Sequence, residues 1–183
     1  QQMRASVEAV GELPPIVLAA LRRRMTALAA EIGDGAVWAN ASLSHLPRSL
    51  SAIPNEKLAG NFFIGDMLPT CIDDDRDAAA ELMKRVLTGY VLLPNYRNYW
   101  KEAGYVAEME AIERALASGE RERIPGLMSD KWLADSTLFG PRKDVLDGLE
   151  RWYAAGMKTP IVVPSSTRGG QFQAFHEIFE AFA

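Results

Sequence analysis

Short unbroken apolar runs alternate along this chain with longer stretches in which apolar residues recur every three or four positions. The runs Ile16–Ala20, Ala36–Ala39, Asn61–Ile72 and Pro160–Pro164 read as buried parallel strands. Between the first two, Met25, Leu28, Ala29 and Ile32 fall at i, i+3, i+4 and i+7. This predicts a helix over about residues 22–32 with that face packed on a sheet, ended by Gly33. Strand, helix and strand in so few residues form a compact βαβ unit with a right-handed crossover. A short helix is expected near 46–52, and long ones over about 76–92, 95–103 and 106–117. Residues 119–128 read as a charged loop. Further helices are expected over 129–138, 141–155 (with Pro141 in its first turn) and 171–182. The last should bury Phe172, Phe175, Ile178, Phe179 and Phe182. Four strands alternating with helices define an α/β class with a parallel sheet.

Composition narrows the chemistry. Of 183 residues, 48% are hydrophobic and 24% charged, with a net charge of −4. That balance argues against a general nucleic-acid or anionic-membrane binder, which needs a basic face. One cysteine, Cys71, and two distant histidines, His45 and His176, leave no disulfide and no Cys- or His-based metal site to expect. No apolar run approaches the roughly 18 residues needed to span a bilayer. The start lacks the apolar core of a signal peptide, so a cytoplasmic protein is expected. It begins at Gln1 rather than Met, which fits a processed terminus or a piece of something longer.

The most informative stretch is Leu18-Ala19-Ala20-Leu21-Arg22-Arg23-Arg24, which runs off a strand into a helix. Small residues there let backbone N–H groups approach a ligand, and the helix dipole favours an anion. Three cations at that end are otherwise unfavourable, by about 0.3–1 kcal/mol each. They fit a bound phosphate, or else they face solvent or pair with acids such as Glu31 and Asp34; spacing leaves both readings open. Other candidates are less specific. Ser165–Gly170 follows the last strand and is either a second anion site or a plain loop. Asp73-Asp74-Asp75 reads as a helix cap rather than a metal site. His45 is a loop histidine near the expected active-site face. Tyr96, Tyr99 and Trp100 read as packing, and the adjacency of Ser44 and His45 gives no catalytic triad.

The order of these segments resembles the luciferase-like monooxygenase family. Pro14–Ala20 followed by Leu28–Gly35 resembles its fifth strand, fifth helix and sixth strand. Asp73–Asp75 with Ala78-Ala79 resembles the acidic start of the helix after strand seven. Pro94-Asn95-Tyr96, Ala103-Gly104-Tyr105 and Phe139-Gly140-Pro141 with Val145 and Leu149 are similar to later family motifs. The resemblance implies that residues 14–183 form the C-terminal half, strands five to eight, of a TIM-type (β/α)8 barrel, behind a polar lead-in over 1–13. It implies an oxidoreductase or monooxygenase using FMN or coenzyme F-420 (F420) on a small-molecule substrate, often as a homodimer. In the family the turn after strand five holds the cofactor phosphate, which points to Ala19, Ala20, Leu21 and Arg22. The end of strand six adds Ala39, Asn40 and Ala41; Asn40 serves equally well as a turn residue. No catalytic residue is identified, because family members place most ring-binding residues on strands one to four. Alone, such a half barrel should not transfer hydride, and inward residues Val17, Ala19, Val37, Phe63 and Val162 would be bare and prone to pairing. The alternative is a non-catalytic half-barrel module binding a phosphate ligand or a partner. A small doubly wound protein fits less well, because no G-x-G-x-x-G follows a strand.

Overall fold

The structure is a computed structural model that describes residue 11 and residues 14–183. Gly11 apart, the expected polar lead-in of residues 1–13 lies outside the described residues. The strands are β1 (Val17–Ala19), β2 (Gly35–Ala39), β3 (Phe63–Ile72), β4 (Leu138–Gly140) and β5 (Thr159–Pro164). The helices are α1 (Arg23–Ile32), α2 (Leu46–Leu50), α3 (Asn55–Ala59), α4 (Arg76–Val91), α5 (Pro94–Glu102), α6 (Val106–Ala117), α7 (Asp130–Ser136), α8 (Arg142–Ala154) and α9 (Gln171–Phe182). Every strand pairing is parallel. The four expected strands are neighbours in chain order, β1-β2-β3-β5. β4 joins the last residues of β3, pairing Thr70 with Leu138 and Ile72 with Gly140. Sequence had given this stretch to a helix end. Thr137 turns extended there (φ −144°, ψ 167°), and two apolar residues are too few to show a period.

The sheet has two unlike faces. Leu18, Ala36, Trp38, Ile64, Leu68 and Val162 belong to the core, which is closed by helix residues such as Ala29, Met83, Leu87, Trp100 and Leu149. The opposite face runs through Val17, Ala19, Val37, Ala39, Met67, Ile161 and Val163. Each of these is exposed or half-buried. Val162, expected on the bare face, is therefore on the covered one, because an unbroken apolar run hides the phase of its alternation.

Two helices pack on a face shifted from the one expected, although Ala29 of α1 is buried as the pattern has it. α1 sets Thr26, Ala29 and Ala30 on the sheet and turns Met25, Leu28 and Ile32 outward. α9 buries Ala174, Glu177 and Ala181, leaving Phe172 at 90% and Phe179 at 73% exposure. In both, small residues allow close approach to the sheet. The larger apolar stripe that sets the period is left largely exposed, with Met25 alone of α1's stripe reaching the pocket wall between β1 and β2. No helix among the described residues is long and apolar enough to cross a membrane.

Candidate functional site at the carboxyl rim of the sheet

Because all strands are parallel, their C-terminal ends share one rim. At β1, Ala20 donates its N–H to the Val37 carbonyl (2.8 Å), which carries the chain one residue past the strand. Arg22 is extended (φ −117°, ψ 161°), and α1 starts with no side-chain cap and no acidic residue in its first turn. Among the described residues, the N–H groups of Leu21, Arg22, Arg23 and Arg24 have no hydrogen-bond partner. At β2, Asn40 adopts a left-handed conformation (φ 56°), which asparagine tolerates better than most residues. Its N–H reaches the Met67 carbonyl at 3.1 Å.

A pocket of about 310 Å³ opens between these two strand ends. Ala19, Ala20, Leu21 and Ala39 line it, so four of the seven residues expected from sequence come together. Asn40 and Ala41 do not line it. Both are buried beneath the rim, where they shape the exit of β2. Arg22 lies beside it, in a larger surface trough of about 840 Å³ that also includes Arg23, Arg24, Leu28 and Glu31. Sequence reasoning did not anticipate Met67, Asn95 and Tyr96 in the pocket wall. Asn95 and Tyr96 stood in a quoted family motif, and Tyr96 was read as packing. Burial, then Tyr90 and Asp66, raises the Tyr96 phenol above its ordinary pKa.

Arg22 is not free. Its Nε donates to Glu102 at the end of α5 (2.9 Å), and a second guanidinium nitrogen contacts the same oxygen. This hydrogen bond raises the Arg22 pKa. The partner is Glu102 rather than the expected Glu31 or Asp34. Arg23 and Arg24 make no ion pair among the described residues.

The other candidates are satisfied internally. Asp75 caps α4 by accepting the Ala78 N–H at 3.0 Å. Asp73 accepts the Asp75 N–H (2.9 Å) and the Thr167 hydroxyl, which keep its pKa low. In the Ser165–Gly170 loop, Ser166 (2.9 Å) and the largely exposed Arg168 (2.9 Å) both contact buried Glu177. Ser44 bonds Asp135 directly (2.7 Å), and His45 meets Tyr99 edge-on at 5.6 Å, its pKa lowered by burial and then by Arg48. No group of three or more His, Cys, Asp or Glu among the described residues could hold a metal.

The sequence profile of luciferase-like monooxygenases matches residues 1–159. Among solved structures, the coenzyme F420-dependent tetrahydromethanopterin reductase of Methanopyrus kandleri superposes with a TM-score of 0.63 at 20% identity. That match covers 83% of this chain and 46% of the reductase. An F420-dependent secondary alcohol dehydrogenase, solved with an F420-acetone adduct, gives 0.60 at 13% identity, over 94% and 50% of the two chains. The chain thus spans about half the length of these relatives. No curated protein sequence matches it.

Proposed function

The chain belongs to the luciferase-like monooxygenase family, and on that premise we propose that it forms the C-terminal half of a (β/α)8 oxidoreductase and holds the phosphate side of FMN or F420. The observation that carries this reading is the row of N–H groups from Leu21 to Arg24 with no partner among the described residues, running from the pocket between β1 and β2 at Leu21 into the adjoining trough at Arg22–Arg24. A helix N-terminus with free donors suits a phosphate. Ala19, Ala20 and Ala39 keep the walls low enough for close approach. Arg23 and Arg24 add attraction at longer range, while Arg22 is fixed by Glu102 and steadies the turn. When bound, either cofactor would supply hydride transfer at its ring, and the protein would supply position. Met67 and Tyr96 stand where a group passing from the phosphate site onto the open sheet face would touch the wall.

The bare sheet face supports the half-barrel reading. Parallel sheets are ordinarily covered on both faces, and a barrel achieves this by closing the sheet on itself. The outward apolar sides of α1 and α9 would then meet further barrel helices, or another copy in a homodimer. The substrate is a small molecule, and the proposed location is the cytoplasm.

The test is a titration of FMN and of F420, separately, on the full-length protein. Arg22→Glu should weaken binding by on the order of 1–3 kcal/mol, since the turn is unfastened and a negative charge is placed at the anion site. Arg123→Glu, in a remote surface turn where Arg123 pairs with Glu120, should leave binding unchanged. Equal behaviour of the two variants would remove the anion site from this turn.

A further inference from the structure

The pocket between β1 and β2 does not stop at the turn. Met25 lines it and also lines the trough of about 840 Å³ along the outer side of α1, so the two concavities adjoin. Charge is unevenly spread along that trough. At its upper end Arg22 and Glu102 offset each other in their ion pair. Arg23 and Arg24 are exposed and make no ion pair among the described residues. The other acid in the wall, Glu31, stands seven positions past Arg24. That places it about 10 Å further along the helix axis. The upper trough is therefore cationic by two charges, and Met25 and Leu28, 41% and 37% exposed, give it an apolar lining.

This upper end stays at the rim however the rest of α1 is covered. A helix that follows a parallel strand starts at the carboxyl end of the sheet, and Ile32, where a further helix would pack, lies outside the trough. The two cofactors differ in what they offer there. FMN ends at its phosphate, a monoester with about two negative charges at neutral pH. The phosphate of F420 is a diester with one charge. Beyond it a lactyl unit carries a chain of glutamates, each with a free carboxylate. At the turn alone FMN has the advantage of charge. A site that continues past the phosphate into a cationic trough reverses it, because arginine pairs well with carboxylates.

We propose that the upper trough receives the acidic tail of F420, and that this makes F420 rather than FMN the cofactor. Arg23 and Arg24 pair with the tail carboxylates, and Met25 and Leu28 lie along its methylene groups. The inference rests on the reading of the Leu21–Arg24 turn as the phosphate site. Both arginines face solvent, so their contribution is screened by salt.

Three ligands test it by titration on the full-length protein: F420 with its glutamates, F420 from which the glutamates have been removed, and FMN. The proteins are the wild type, the double variant Arg23→Gln with Arg24→Gln, and Arg22→Glu. At low salt the wild type should bind tailed F420 about tenfold or more tighter than the stripped form, and tighter than FMN. In the double variant tailed and stripped F420 should come within about twofold of each other, which ties the tail to these two side chains. Raising the salt to about 0.5 M should shrink the wild-type difference. Equal affinity of the wild type for tailed and stripped F420 overturns the proposal. So does a difference that survives in the double variant, or FMN as the tightest ligand. If Arg22→Glu weakens all three ligands while the tail makes no difference, the phosphate reading stands and this inference alone fails. If none of the three responds to Arg22→Glu, the phosphate reading fails and takes the inference with it.

Discussion

The covered and bare faces of the sheet are built from the same strands, with similar residues, and differ only in what lies over them. Leu68 and Met67 are consecutive in β3. Leu68 is sealed under helices, whereas Met67 is 42% exposed. Alternation along a strand sorts side chains to two faces, but it is silent on what each face meets. The same holds for α1 and α9, whose apolar stripes are genuine and whose packed sides are the small-residue stripes beside them.

Substitutions can press on this contrast, beginning with the largest effect. In the 183-residue chain, Leu68→Ala should cost about 2–5 kcal/mol in urea unfolding, as a sealed cavity is left behind. Met67→Ala should cost less than about 1 kcal/mol there, as expected away from a closed core. In a longer protein that closes the barrel, the Met67→Ala cost should rise toward that of Leu68→Ala; if it does not, the bare face stays bare. Gly35→Ala probes whether the bare side has slack. An added Cβ would lie 2.4 Å from the Phe63 Cβ and 2.9 Å from its carbonyl oxygen on the paired strand. A cost of about 1–3 kcal/mol is expected by thermal melting, and a neutral result would mean that the strands can part. The smallest effect compares helix starts. Asp75→Ala should cost about 1 kcal/mol by removing the cap of α4. Arg22→Ala should cost less, because α1 has no side-chain cap to lose and the pair with Glu102 is exposed.

Much of the scaffold was legible. Gly33, Asp75 and the paired runs at 16–20 and 36–39 speak through local chemistry, so β1, α1, β2 and the start of α4 fall where the pattern puts them. The strand-to-helix turn at Ala19–Arg22 was legible for the same reason, and four expected residues meet in one pocket. What was not legible depended on partners distant in sequence. Glu102 holds Arg22 across 80 positions. Thr167 reaches Asp73 across 94. Asp66 is a lone acid inside a run expected to be a buried strand, and its place on the covered face beside Trp38 depends on the pairing with β2. Tyr96 has helical spacing to Trp100, which suggests packing; its tilted contact with that ring (5.5 Å) is real, yet it also forms pocket wall.

β3 pairs with three other strands, and those partners become available to it at very different times. Its first half finds β2 already made, but residue 65 pairs with Thr159, and residue 70 with both Leu138 and Pro164. During synthesis at about 5–20 residues per second, the second edge of the strand would wait roughly 5–20 s for β5 to be made. A strand held open that long is a template for other chains. The helices α4 to α7, which lie between β3 and β4 in sequence, are the first elements able to shelter one side of it. A translational slowdown within 76–137 would therefore lengthen the interval in which this chain is most exposed to aggregation, whereas one after residue 164 would not.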